Sequence, residues 1–357
     1  MPKSRLKTTQ GSAKMSNQTQ PTTPTRELLT IGRYFKARFG ERVRKIPISL
    51  SGFTCPNIDG SKAKGGCIYC DNASFSPSFI KVQNPTPKST ANLKQSKTPP
   101  ITMRFTLESN PLLQTQLKEL EEQFLWHAEF HKRKFGVQKY MVYFQSFSNT
   151  YAHPHTLKAL WDKALSFDGV VGLNIGTRID CVEDTVLEIL GEYVKNGKEI
   201  WLEYGIQTVS NHTLKLINRA HNTQGAQELF ANTRKKGIKV CAHLIYGLPN
   251  EDKEMMLTSL KTTLKWGIDA LKIHPLYVIA GTQLAKMYEA GKYEPIDLDS
   301  YIELIVQSVA LIPSEIIIER VSAGAHIDSL VAPKWCFDKN IQMRLLRERL
   351  LEIGIEY

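Results

Sequence analysis

Six short and nearly continuous apolar runs, set apart by helix-length segments, constrain this chain more than any other feature. They are IPISL (46–50), YMVYFQ (140–145), VVGLNIG (170–176), IWLEYGIQ (200–207), VCAHLIYG (240–247) and LKIHPLYV (271–278). Runs with so little polar alternation belong to parallel strands covered by helices rather than to hairpins washed on one side. Between them, apolar residues recur at helical spacing: Leu117, Leu120, Phe124 and Ala128, then Leu157, Leu160, Trp161 and Ala164, then Leu187, Leu190 and Val194, then Met256, Leu260 and Leu264. Gly136, Gly197, Gly237 and Gly267 stand where helix C-caps are expected, each shortly before the next strand. Six βα units joined by right-handed crossovers predict an α/β fold, a partial (β/α)6 TIM-like barrel, with an open doubly wound sheet as the alternative. In either fold the functional loops gather at the strand C-terminal ends. The cysteine loop, QSFSNTYA, GTRID, GIQ, YGLPNE and HPLYV all fall there.

With 357 residues, 42% of them apolar, the chain builds a sizeable core. It has no apolar run of membrane-spanning length and no apolar signal core, so no membrane partner is expected and a cytoplasmic location is. The net charge of +11 and a pI near 9.2 suit a polyanionic partner. Part of that excess lies in Lys3, Arg5, Lys7, Lys14 and Arg26. Residues 1–25 read as a disordered basic tail, and Asn84 to Pro100 as a surface insertion rich in Pro, Ser and Lys. Residues 26–295 read as the barrel core. Residues 296–357 read as an extension closing the barrel, with a helix, a short strand at Glu315 to Arg320 and a final helix near Gln342 to Leu351. Its SAGA and APKW segments are expected to close the open side or shape substrate access.

Six cysteines are too sparse for a disulfide scaffold, and three crowd into residues 55–70 as C-x11-C-x2-C, directly after the first strand. Gly60, Gly65 and Gly66 permit the tight turns such a loop needs. Three thiolates leave one iron of a [4Fe-4S] cluster without a cysteine, a position open to a chelating small molecule. The alternative is a zinc loop completed by His153 or a remote Cys. Cys181, Cys241 and Cys336 are isolated, and Cys241 begins a core strand, where Cys packs as a small apolar residue. In LEYGIQ, Glu203, Gly205 and Gln207 share one strand face and point into the barrel.

The segments RYFKARFGERVRKIPISLSGFTCPNIDG, GGCIYCDNASF, YFQSFSNTYA, IGTRIDC, LEYGIQT, INRAH, HLIYGLPNE and HPLYVIAGT follow in order over residues 31–335. In these the chain resembles the radical S-adenosylmethionine (SAM) superfamily, and within it a bacterial subfamily similar to the radical SAM domain of the elongator catalytic subunit. The first cysteine gap is wider than the commonest C-x3-C-x2-C pattern, as it is in the elongator-like branch. The resemblance implies Cys55, Cys67 and Cys70 as cluster ligands, with Tyr69 near the SAM adenine. Ser146 to Thr150 replaces the usual Gly-Gly-Glu motif, so Asn149 and Thr150 are expected to meet the methionyl amino group. Arg178 and Arg219 are expected to face the site, with Arg219 gripping the SAM carboxylate. Glu203 or Gln207 is expected at the ribose hydroxyls, the YGLPNE loop beside the adenine, and His274 and Tyr277 against substrate.

The resemblance further implies one [4Fe-4S] cluster, SAM, and an external one-electron reductant such as flavodoxin or ferredoxin. SAM would be cleaved reductively to a 5′-deoxyadenosyl radical. The expected target is a tRNA nucleoside, a wobble uridine side chain, motivated by the basic balance and the elongator-like resemblance. No acetyltransferase segment accompanies it in this sequence, so chemistry identical to the elongator subunit's is not expected. Oxidation, decarboxylation or rearrangement of a small metabolite is the second reading, and a zinc-stabilised binding module is the non-enzyme alternative.

Overall fold

A computed structural model describes residues 25–71, 110–324 and 328–357. The basic tail up to residue 24 and the Asn84–Pro100 insertion lie outside the described residues. In chain order the elements are β1 (Arg26–Glu27), α1 (Ile31–Phe39), β2 (Val43–Ile48), α2 (Leu113–Phe135), β3 (Lys139–Phe144), α3 (Pro154–Leu165), β4 (Val170–Thr177), α4 (Asp184–Lys195) and β5 (Glu199–Gln207). There follow α5 (Asn211–Leu216), α6 (Ala226–Lys235), β6 (Lys239–Tyr246), α7 (Lys253–Lys265), β7 (Ala270–Pro275), β8 (Val278–Ile279) and α8 (Gln283–Glu289). The chain ends with α9 (Leu298–Leu311), β9 (Ile317–Arg320), β10 (Leu330–Ala332), α10 (Lys339–Glu352) and β11 (Ile355–Glu356).

All six expected strands form, in one sheet of order β2-β3-β4-β5-β6-β7-β9, with every neighbouring pair parallel. A doubly wound sheet reverses its strand order at a switch point. This order has no reversal, so the sheet curls into a half-barrel. The seventh strand comes from the C-terminal region: the apolar run at Ile316 to Ile318 pairs with β7 through Ala270↔Ile317 and Leu271↔Ile318.

Alternate residues of each strand face outward into one core. Ile46, Val142, Leu173, Leu202, Val240 and Ile273 pack there with Phe124, Trp161, Leu190, Phe230 and Leu260 from the covering helices. Each fully buried Leu or Ile stabilises the fold by about 1.5–3 kcal/mol relative to exposure. Gly136, Gly197, Gly237 and Gly267 all take left-handed φ between +65° and +84°, turning the chain out of a helix towards the next strand.

The concave face is built in three storeys. At the bottom, α1 brings Phe35 against Trp201, ring centroids 6.2 Å apart, with Met141, Cys241, Ala270 and Ile317 filling the plug. Cys241 is thus the small apolar packing residue expected. In the middle each strand contributes one polar side chain: Lys45, Tyr143, Asn174, Glu203, His243, Lys272 and Glu319. Above them, at the strand C-terminal ends, a cavity opens. Among the described residues no helix is long and apolar enough to cross a membrane.

Candidate active site

The segment leading into Cys55 is clamped by one face of α2. Gln123 accepts from the Ser49 amide at 3.0 Å and donates to the Ser49 carbonyl at 2.9 Å. Gln116 donates to the Ser51 carbonyl at 2.6 Å, and Glu119 accepts from the Ser51 amide at 2.8 Å. Buried backbone groups must be paired, and this paired segment can start the loop in only one direction. The loop then turns on itself: the amides of Ile58 and Asp59 donate to the Cys55 carbonyl, and that of Cys70 to the Cys67 carbonyl. Gly60, Gly65 and Gly66 all take positive φ there, as their placement predicted. Asn218 ties the loop down, its amide donating to Gly66 O at 2.6 Å and Lys64 O at 3.0 Å.

Cys55, Cys67 and Cys70 all line one cavity of about 530 Å³ at the top of the half-barrel. Each of the first two thiols faces a hydrogen-bond donor: Ser148 Oγ is 3.2 Å from Cys55 Sγ, and Asn57 Nδ2 is 3.3 Å from Cys67 Sγ. Arg219 lies behind them, with Nη1 3.7 Å from Cys67 Sγ and Nη2 donating to the Gly205 carbonyl at 2.8 Å. Burial pushes the Cys55 and Cys70 thiols up, and the neighbouring thiols push Cys70 further. The pocket therefore disfavours free thiolates, which a bound iron cluster would neutralise. Buried Arg219 Nε and Arg178 Nη1 have no hydrogen-bond partner, as suits a site that receives a further polar molecule.

Among the described residues no three His, Cys, Asp or Glu side chains gather closely enough round one point for a single ion. A multi-iron cluster binds each thiolate through a different iron and so suits a wider spread. His153, the suggested fourth zinc ligand, caps α3 instead, its ring accepting from the His155 amide at 3.3 Å. Three thiols lining one cavity are a donor set that an iron–sulfur cluster could use.

The other expected residues divide. Tyr69, Arg178, Glu203, Gln207, Arg219, His274 and Tyr277 line the same cavity as the thiols. Asn149 and Thr150 do not. The Asn149 amide donates to the carbonyls of Phe144 and Gly176, and the Thr150 hydroxyl meets Thr177 Oγ1 at 2.6 Å and Cys181 O at 2.5 Å. Asn149 ties β3 to β4, Thr150 ties its own loop to the end of β4 and the turn after it, and their neighbour Ser148 presents the hydroxyl towards Cys55. Arg178 is buried and grips Asp180 bidentately at 2.8 and 3.0 Å. Burial alone would raise the Asp180 carboxyl, but Arg178 holds it well below the usual carboxylate range. The YGLPNE loop packs under Tyr293, whose hydroxyl donates to the Gly247 carbonyl at 2.8 Å, and stays out of the cavity wall.

Of Glu203 and Gln207, the two alternatives for the ribose, Glu203 has its oxygens engaged within the protein. Its Oε1 accepts from Lys45 at 2.8 Å and Asn174 at 2.7 Å, while Oε2 accepts from Lys272 and meets His243 Nε2 at 3.1 Å. With both oxygens committed to the middle storey, Glu203 braces the cavity floor and leaves Gln207 nearer the rim. Burial would raise the Glu203 carboxyl, yet Lys272 and Lys45 hold it well below its ordinary value. His243 is pushed down by burial and by Lys272.

Lys272, His243, Ser148 and Arg320 were not singled out from sequence. Lys272 and His274 alternate in an apolar strand, as do His243 and Ile245, and that period-two pattern was the available signal. Phe147, Asn218 and Ala220 on loops, and Gln207 at the end of β5, all take left-handed φ between +54° and +71°. Backbone strain of this kind collects at functional sites.

The family model "Radical SAM superfamily" matches residues 60–262, and "Radical_SAM C-terminal domain" matches 268–352. Protein YhcC of Escherichia coli K12 is 34% identical over 319 residues, covering 89% of this chain and 91% of YhcC. Elongator complex protein 3 of Mus musculus is 27% identical over 348 residues, covering 89% of this chain and 60% of that protein. The chain therefore spans about 60% of that relative's length. The structure of archaeal Methanocaldococcus infernus Elp3 superposes with a TM-score of 0.55 at 20% identity, covering 69% of this chain and 62% of the other, a likeness of fold. The superfamily match over more than half the sequence agrees with the half-barrel and its cysteine loop. The chain belongs to the radical SAM superfamily, enzymes whose cofactors are SAM and an iron–sulfur cluster.

Proposed function

We propose that Cys55, Cys67 and Cys70 hold one [4Fe-4S] cluster and that the enzyme acts on a nucleoside of tRNA, a wobble uridine. The observation that carries the first part is the gathering of three thiols from one loop at one end of a 530 Å³ cavity, with Arg219 against Cys67. When bound, the cluster supplies one electron that splits SAM into methionine and a 5′-deoxyadenosyl radical, which takes a hydrogen atom from the substrate. The chain's own side chains hold the reactants in line. Arg219 keeps Nε for the SAM carboxylate, Gln207 offers its amide to the ribose, and Tyr69 lies beside Cys67 at the adenine. Phe147, Ile245 and Leu276 give the cavity an apolar wall. An external one-electron reductant such as flavodoxin or ferredoxin serves the cluster.

The net charge of +11 and the relationship to the elongator protein support the tRNA substrate. The test is electrophoretic binding to bulk tRNA across a salt series. Affinity that falls by about 10³-fold or more between 50 and 200 mM salt is expected for several phosphate contacts. Absence of binding at low salt would refute the tRNA reading and put a small metabolite in its place.

A further inference from the structure

We propose that the end of the cavity away from the cysteines binds an anionic group of the substrate, a phosphate or a carboxylate, between Arg320, Lys339 and His274. This rests on assigning the cysteine end to SAM. Among the described residues, five charged ones other than the cysteines line the cavity: Arg178, Glu203, Arg219, Lys272 and Arg320. Four are matched. Arg178 holds Asp180, Arg219 holds the Gly205 carbonyl beside Cys67, and Glu203 and Lys272 hold each other along with Lys45 and Glu319. Arg320, at the C-terminal end of β9, makes no hydrogen bond or ion pair among the described residues.

A second cation stands close by. Lys339 opens α10, and a Cβ on Gly324, which lines the cavity, would lie 3.8 Å from Lys339 Cβ. Burial and then Arg320 hold both Lys339 and His274 below their ordinary values, so these three groups share one neighbourhood. The adjacent acids are committed elsewhere: Glu319 to Lys45 and Lys272, and Asp338 to the amides of Asn340 and Ile341 at the start of α10. The His274 ring makes no hydrogen bond among the described residues, which leaves its ring N–H for a ligand beside the guanidinium. By contrast, Arg219 and Arg178 are the cations that bear on Cys55. Two cations and an imidazole without a counter-ion among the described residues, at the rim of the cavity, match an anionic oxygen group, which a guanidinium binds in a fork.

The test titrates the cluster-loaded protein, without SAM, with pyrophosphate and separately with malonate, reading the thermal midpoint and equilibrium dialysis. Saturable binding is expected in the wild type, about tenfold weaker in Arg320→Ala and partly restored in Arg320→Lys. Lys339→Ala, at the first position of α10, should weaken it as well, while Lys334→Ala should leave it unchanged. Preference for pyrophosphate or malonate tells phosphate from carboxylate. The proposal is overturned if neither anion saturates, if Arg320→Ala binds like the wild type, or if added SAM displaces the anion. Formation of 5′-deoxyadenosine is read separately, so failure to cleave SAM with anion binding intact would count against the proposed function alone.

Discussion

Lys272→Met should destabilise the enzyme by about 3–5 kcal/mol, the usual cost of removing one partner from a buried ion pair. The middle storey balances two cations against two carboxylates. Lys272 donates to Glu203 and lies 2.7 Å from Glu319, while Lys45 donates to Glu203 at 2.8 Å and to Glu319. The Glu203, Glu319 and Lys272 side chains are at most 5% exposed, so water cannot take over from the lost ammonium. Methionine nearly fills the space of the lysine stem, so a cavity contributes little. A loss of about 4 kcal/mol is a large share of a stability of about 5–15 kcal/mol. The sign with pH follows from Glu203. Its folded carboxyl is held below the unfolded value, so its stabilisation is complete above the ordinary carboxylate range and is lost as pH falls through the folded value. Without Lys272 burial raises that carboxyl, one glutamate takes up a proton as pH drops, and the deficit shrinks from pH 8 to pH 5.5. Urea denaturation at both pH values, with Lys272→Met/Glu319→Gln closing a cycle, measures this. The double variant restores one cation to one carboxylate and should recover about 1.5–3 kcal/mol relative to additivity. A single-variant cost below about 1 kcal/mol, or strict additivity, would refute the argument.

Gly205→Ala would put a Cβ 2.8 Å from Arg219 Nη2 and 2.9 Å from Gln207 Nε2. Both side-chain tips move aside, so SAM affinity should drop about tenfold with a nearly unchanged thermal midpoint, and wild-type affinity by equilibrium dialysis would count against the assigned roles. Gly172→Ala meets backbone instead, 1.8 Å from the Glu199 carbonyl oxygen, and should yield no soluble folded protein; a folded variant by circular dichroism would contradict the β4–β5 register. Gln123→Leu leaves the Ser49 amide and carbonyl unpaired, costing about 1–3 kcal/mol by urea denaturation and lowering iron content as the cysteine loop loosens.

The strands of the half-barrel were legible because each is apolar on both faces along most of its length, and the helices because their stripes are regular. The place of β9 was not, since α8 and α9 lie between it and β7 and no local pattern says which edge it joins. At the site, the cysteine spacing announced itself, and period two correctly brought Glu203, Gly205 and Gln207 onto the cavity face. The same pattern did not reveal that Glu203 spends both oxygens on Lys45, Asn174, Lys272 and His243, because those partners come from four other strands. Asn149 and Thr150 took the place of a binding motif in sequence, yet the carbonyls of Phe144, Gly176 and Cys181 accept from their side chains. Gln116, Glu119 and Gln123 form a polar stripe within the helical repeat of α2, hidden by the apolar stripe beside it.

The central claim is that the three thiols hold one [4Fe-4S] cluster at which SAM is cleaved. Anaerobic purification, an absorbance spectrum with iron and sulfide analysis, and chromatography after adding dithionite and SAM test it directly. Broad absorption near about 400 nm, about four irons per chain, and 5′-deoxyadenosine that vanishes in Cys67→Ala are the expected results. A colourless protein carrying about one zinc per chain and forming no 5′-deoxyadenosine would contradict the claim.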